Sequence, residues 1–184
     1  DNVEPHEHHL TDKLFNRYYL RSVDGFVYMS EQVRSELCAY TDAPALFSPH
    51  PLFENFGERV ARSEACVRLG LDPANRYVLF FGLIRDYKGL DLLLDAWTRL
   101  KRAGQTEGRR LIVAGEFYTA KEPYLKQIAD NGLQDEVLLH DRFIPDDEVK
   151  YYFSAADFVV QPYKTATQSG VTQIAYQFCV PMVV

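Results

Sequence analysis

From about residue 76 onward, short unbroken apolar runs alternate with longer segments whose apolar residues recur every three or four positions. The runs YVLFFG (77–82), RLIVAG (110–115), VLLH (137–140) and FVVQ (158–161) predict strands, and 182–184 opens another. Between them, 62–69, 90–103, 118–131, 146–155 and 170–179 predict helices, with Gly70, Gly104 and Asn131-Gly132 as stops. The strands do not alternate apolar with polar, so both of their faces must be buried. Helical crossovers on a parallel sheet produce that burial. An α/β fold follows, a parallel sheet with helices on both faces, built from right-handed strand–helix–strand units.

The first third is less regular. Residues 11–22 predict a helix with Thr11 as N-cap, 25–29 a short strand, Ser30 the cap of a helix to about residue 39, and 46–47 a second short strand. The stretch SPHPLFENFGE, with Pro49, Pro51 and Gly57, is a loop and the expected boundary between a remnant of one domain (1–52) and a second domain (53–184).

In such sheets ligands bind beyond the carboxyl ends of the strands. The first exit reads FFGLIRDYKG, in which Gly82 allows close approach and Arg85 and Lys88 precede a helix near Gly89. Cations beside free helical N–H groups make an anion site. The fourth exit reads QPYKTATQSGV. There Lys164, Thr165, Thr167, Gln168 and Ser169 crowd a loop ending at Gly170, where Ser169 would cap a helix. Phe143 and Ile144, in HDRFIPDDEV, offer an apolar wall for a planar ring, and Glu116 could meet a ligand hydroxyl. Each feature also has a plain reading: solvated loop cations, an ordinary serine cap, a core-capping turn, an exposed acid.

Composition narrows the classes. Of 184 residues 47% are hydrophobic and 25% charged, which is globular and excludes general disorder. No apolar run reaches the roughly 20 residues that span a bilayer. A net charge of −6 gives no general affinity for nucleic acid. Ten acids and five bases fall in residues 1–60, against sixteen and fifteen in the rest. Cys38, Cys66 and Cys179 are odd in number and far apart, which predicts a reducing, cytoplasmic setting. His6, His8 and His9 nearly form HExxH, but Leu10 breaks it, and no metal is expected. The start at Asp1 and the stop inside an expected strand at Val184 suggest a fragment of a longer polypeptide.

These segments, in this order, resemble the retaining glycosyltransferases of the GT-B fold, family 4. GLIRDYKGLDLLLDA resembles the family's G-R-L-x-x-x-K-G-x-D-x-L-I-x-A, and FIPDDEVKYYFSAADFVVQPY and SGVTQIAYQFCVPMVV resemble the stretches that hold the donor base and close the site. VDGFVYMSEQVRSEL and HPLFENFG are similar to the end of the acceptor domain and the inter-domain connection. The resemblance implies that 1–52 is the end of an acceptor domain and 53–184 a Rossmann-like donor domain, truncated at its C-terminus. It implies transfer of a hexose, with retention, from a UDP- or GDP-type nucleotide sugar to an acceptor hydroxyl on a carbohydrate or lipid-linked acceptor, in glycan, polysaccharide or glycolipid synthesis. No cofactor is needed, and the isolated fragment would be inactive. Peripheral contact with the inner face of a membrane is compatible with this role, and the oligomeric state stays open.

Residue by residue, the resemblance implies that Lys88 binds the donor diphosphate. Arg85 stands in for a family arginine whose place is Leu83, and the start of the helix at Ser169, Gly170 and Val171 completes that contact. Phe143 and Ile144 sit at the base, and Thr167 and Gln168 at the donor sugar. The family's E-x7-E falls on Ala166 and Ile174, and its acceptor-domain histidine near Asp1, so no catalytic residue is assigned. Two other readings stay open, a non-catalytic nucleotide-sugar-binding or regulatory module and a nucleotide-sugar epimerase of the same shape.

Overall fold

The computed structural model describes residues 12–166 and 169–184. The chain divides into two compact units. One takes in the described residues up to Pro51 and those within 165–170; the other is Leu52–Lys164 with Val171–Val184.

In the first unit, helix α1 (Asp12–Arg21) precedes strand β1 (Phe26–Tyr28), helix α2 (Glu31–Leu37) and strand β2 (Ala45–Phe47). β1 and β2 pair in parallel, with Val27 opposite Leu46. The Ser30 hydroxyl accepts from the Val33 N–H at 3.3 Å and caps α2 as its position predicts. Leu20, Tyr28, Val33 and Leu37 form a small core.

The second unit holds helix α3 (Arg62–Leu69), strand β3 (Arg76–Phe81), helix α4 (Leu90–Arg102), strand β4 (Arg109–Ala114), helix α5 (Glu122–Asp130), strand β5 (Val137–His140), helix α6 (Asp146–Ala155), strand β6 (Phe158–Val160), helix α7 (Gly170–Gln177) and strand β7 (Met182–Val183). The five strands pair in parallel in the order β5-β4-β3-β6-β7. β3 shows why its sequence is apolar throughout. Tyr77, Leu79 and Phe81 face one core with residues of α3, α6 and α7 (Cys66, Phe153, Ile174). Val78 and Phe80 face the other, with residues of α4 and α5 (Leu94, Trp97, Ile128). The expected α/β sheet with helices on both faces is therefore present.

The largest boundary difference is at the start of α5. The pattern predicts a helix from residue 118, but α5 begins at Glu122. The Tyr118 N–H donates to the Ile84 carbonyl at 2.9 Å and the Ile84 N–H to the Glu116 carbonyl at 2.8 Å. Backbone groups committed to that bridge cannot enter a helix, and Pro123 then suits the first turn. α7 also ends at Gln177, two residues before its predicted end.

Candidate functional site

The site is built where β3, β4 and β5 end. The chain leaves β3 through Gly82, Leu83 and Ile84, then makes a 3-10 turn, Asp86–Lys88, with Arg85 before it. This exit is pinned from three sides. The Asp86 carboxylate accepts from the Thr119 hydroxyl at 2.9 Å and the Tyr124 hydroxyl at 3.0 Å. Burial, then the Asp86 hydrogen bond and charge, push the Tyr124 phenol up to about 12, so it stays a donor. The Lys164 N–H donates to the Tyr87 carbonyl at 2.7 Å, and the Lys164 ammonium pairs with Asp91 at 2.7 Å. Sequence reasoning placed Lys164 among the ligand-facing residues; the pairing gives it a structural task.

Two glycines are required by close approach. A Cβ on Gly115 would stand 2.0 Å from the Gly82 carbonyl oxygen, and one on Gly89 2.0 Å from that of Pro162. Both have positive φ, +147° and +71°.

Lys88 sits at the centre. The position of a Cβ on Gly82 is 3.4 Å from both the Lys88 Nζ and Val171 Cγ2, in the first turn of α7. Lys88 therefore borders Gly82 together with Val171. Its ammonium also lies 5.8 Å from the Tyr163 ring centre. Among the described residues no carboxylate pairs with it. Burial first, then the Arg85 charge, lower its pKa to about 8. A desolvated cation without a counter-ion in the protein is costly unless a ligand supplies the anion. Arg85 stacks over Tyr118, 5.2 Å from its ring centre.

Beside this lies a cleft of about 190 Å³ lined by Phe56, Phe81, Gly82, Leu83, Gly115, Glu116, Phe143, Ile144, Asp146 and Val149. The structure thus brings Phe143, Ile144 and Glu116 to one place with Gly82. Phe143 is 65% exposed although it is a large aromatic, and Ile144 is buried. Leu83, at the position of the family arginine, is 38% exposed on the same wall. Sequence reasoning missed Asp146; the triple acid DDE at the start of α6 reads as helix-dipole compensation and gives no sign of which acid faces the cleft. Thr167 and Gln168 lie outside the described residues. Ser169 directly precedes α7, and Gly170 is its first residue. Ile174, at the second family glutamate position, is 6% exposed and belongs to the core.

A larger cleft, about 510 Å³, opens beside β5 and is lined by Arg68, His140, Asp141, Arg142, Glu148 and Tyr152 among others. Size does not make it the better site. Arg142 is bonded to Glu148, Lys121 pairs with Asp141 at 2.9 Å, and the buried Tyr152 hydroxyl lies 2.8 Å from His140 Nδ1. Burial and the Arg142 charge lower the His140 pKa, so the ring is neutral at pH 7. Asp141, Arg142 and Glu148 are thus answered within the fold, and the exposed Arg68 lies over the Tyr151 ring, 5.8 Å from its centre.

The sequence pattern described as glycosyl transferases group 1 matches residues 75–184, more than half of the chain. The lipopolysaccharide core biosynthesis mannosyltransferase LpsB of Rhizobium meliloti (strain 1021) is 31% identical over 155 residues, covering 80% of this chain and 41% of that protein. A D-inositol 3-phosphate glycosyltransferase of Frankia alni is 32% identical over 123 residues, 64% of this chain and 30% of its own length. The chain spans less than half the length of the curated relatives it matches. Among solved structures, HepE of Anabaena in complex with UDP-glucose superposes with a TM-score of 0.76 at 17% identity, over 99% of this chain and 50% of that one. Sucrose-phosphate synthase from Thermosynechococcus elongatus gives 0.75 at 18% identity, over 90% and 41%. At these identities the likeness is one of fold, that of GT-B glycosyltransferases.

Proposed function

The chain belongs to the glycosyl transferases group 1 family, and from that premise we propose that it carries the donor-binding part of a retaining, family 4 glycosyltransferase that uses a UDP- or GDP-type sugar. The observation that carries this reading is Lys88, a half-buried ammonium with no carboxylate partner among the described residues, bordering Gly82 at the mouth of the apolar cleft.

The chemistry is departure of a nucleoside diphosphate from C1 of a hexose. Negative charge grows on the leaving diphosphate as that bond breaks. Lys88 stabilises the growing charge more than the ground state, and the first turn of α7 at Val171 adds its dipole. The glycosyl fragment passes through oxocarbenium character and forms its new C1–O bond to an acceptor hydroxyl on a carbohydrate or lipid-linked acceptor, whose proton passes to the departing diphosphate. Phe143 and Ile144 hold the base.

Titration calorimetry of the chain with UDP, GDP and ADP tests the reading. Binding of at least one nucleoside diphosphate is expected; no heat with any of them at millimolar concentration overturns it. A second reading, a non-catalytic nucleotide-sugar-binding module, is favoured by Ala166 and the buried Ile174 where the family has carboxylates. A longer protein containing this chain that binds donor but transfers no sugar would establish that reading instead.

A further inference from the structure

We infer that the donor base is guanine and that Asp146 is the residue that selects it; the inference rests on the nucleotide-sugar reading above. The cleft of about 190 Å³ has apolar walls (Phe81, Leu83, Phe143, Ile144, Val149), and its charged lining residues are two carboxylates, Glu116 and Asp146, with no lysine or arginine. Such a slot accepts a flat ring on its walls and offers acceptors at its edge.

The edge chemistry separates the bases. An ionised carboxylate only accepts hydrogen bonds. Guanine presents two adjacent donors, N1–H and the 2-amino group, spaced to meet both oxygens of one carboxylate. Uracil presents one N–H between two carbonyl oxygens, which a carboxylate repels. Adenine presents its amine beside the N1 lone pair. Guanine is the base of these three that makes two parallel, charge-assisted bonds to one carboxylate.

Of the three acids in the first turn of α6, Asp146 alone lines the cleft, and Glu148 is spent on Arg142. Asp146 is also steered. The Asn55 side-chain amide, on the 3-10 turn Glu54–Phe56, donates to Asp146 Oδ2 at 3.3 Å. Each carboxylate oxygen has two lone pairs, so this bond fixes the group and leaves both oxygens able to accept from a base.

The test compares GDP, inosine diphosphate, UDP, ADP and inorganic pyrophosphate by calorimetry on the chain and on Asp146→Asn. Inosine diphosphate lacks only the 2-amino group. The expected order puts GDP first, about tenfold or more tighter than inosine diphosphate, because one charge-assisted bond is lost. Asp146→Asn should bring GDP down to the level of inosine diphosphate and leave pyrophosphate unchanged. UDP or ADP binding as tightly as GDP overturns the inference. So does equal binding of GDP and inosine diphosphate, which needs no variant. In both cases the diphosphate site stands, whereas a chain that binds none of the five removes the nucleotide-sugar reading itself.

Discussion

Two strand exits on one edge of the sheet, after β3 and after β5, use similar residues to opposite ends. The β5 exit carries His140, Asp141 and Arg142, and each has a partner: Tyr152, Lys121 and Glu148. The β3 exit carries Arg85, Asp86 and Lys88; Asp86 is partnered by Thr119 and Tyr124, and Lys88 meets no carboxylate among the described residues. By volume the cleft at the β5 exit is the larger, at about 510 Å³ against 190 Å³. The charge that the fold leaves unanswered lies at the β3 exit. The lesson is that a polar cleft whose ions are already matched is a structural seam, whereas a desolvated ion without its counter-ion is a vacancy for a ligand's charge.

Breaking the β3 exit should cost most. Gly115→Ala forces a Cβ to within 2.0 Å of the Gly82 carbonyl oxygen, and backbone cannot yield as a flexible side chain would. We expect a loss of about 3 kcal/mol or more in unfolding free energy, read by chemical denaturation. A variant as stable as the parent would show that the loop shifts freely and that the exit is not pinned. Lys88→Met keeps the shape and removes the charge. Diphosphate affinity should fall about 10- to 100-fold, as for loss of a charged hydrogen bond, with nucleoside affinity nearly unchanged. Equal loss for both ligands would remove Lys88 from the diphosphate.

The lowered Lys88 pKa gives a gentler handle. With a value of about 8 in the free protein, the ammonium is mostly present at pH 7 and mostly lost at pH 9. Diphosphate affinity should therefore drop about tenfold over that range. The sign for stability is opposite. Between about 8 and the ordinary 10.5 the unfolded lysine holds the proton that the folded one has released, so this group adds stability as pH rises through the window. Both trends should vanish in Lys88→Met. The smallest effect belongs to the β5 exit. Tyr152→Phe removes the bond to His140 and should cost about 1 kcal/mol of stability while leaving diphosphate binding unaltered. A tenfold loss of binding in that variant would erase the contrast between the two exits.

Much of this was legible in the chain itself. The unbroken run YVLFFG announces a strand buried on both faces, and β3 divides its residues between two cores accordingly. Gly70 ends α3 in the left-handed region, at φ +67°, where the pattern placed a stop. The strand exit GLIRDYKG offered Arg85 and Lys88 as cations for an anion, and the family resemblance singled out Lys88. The start of α5 was not legible, because Tyr118 gives its N–H to Ile84, a residue 34 positions away. Phe143 and Ile144 were legible as a wall, but the division among the charged residues of HDRFIPDDEV was not: Arg142 turns to Glu148 while Asp146 turns to the cleft.

The division has a physical basis. Periodicity, caps and left-handed glycines act over a few residues, so the sequence by itself determined the order of strands and helices, the parallel two-faced sheet and the short list of loops able to meet a ligand. Whether a given charge is answered depends on what long-range contacts bring beside it. Lys164 found Asp91 and Arg142 found Glu148, whereas Lys88 met no carboxylate among the described residues and lies by the Tyr163 ring, Gly82 and the first turn of α7. Only the tertiary structure decided that, because desolvation and pairing are set by neighbours in space and not by neighbours in sequence.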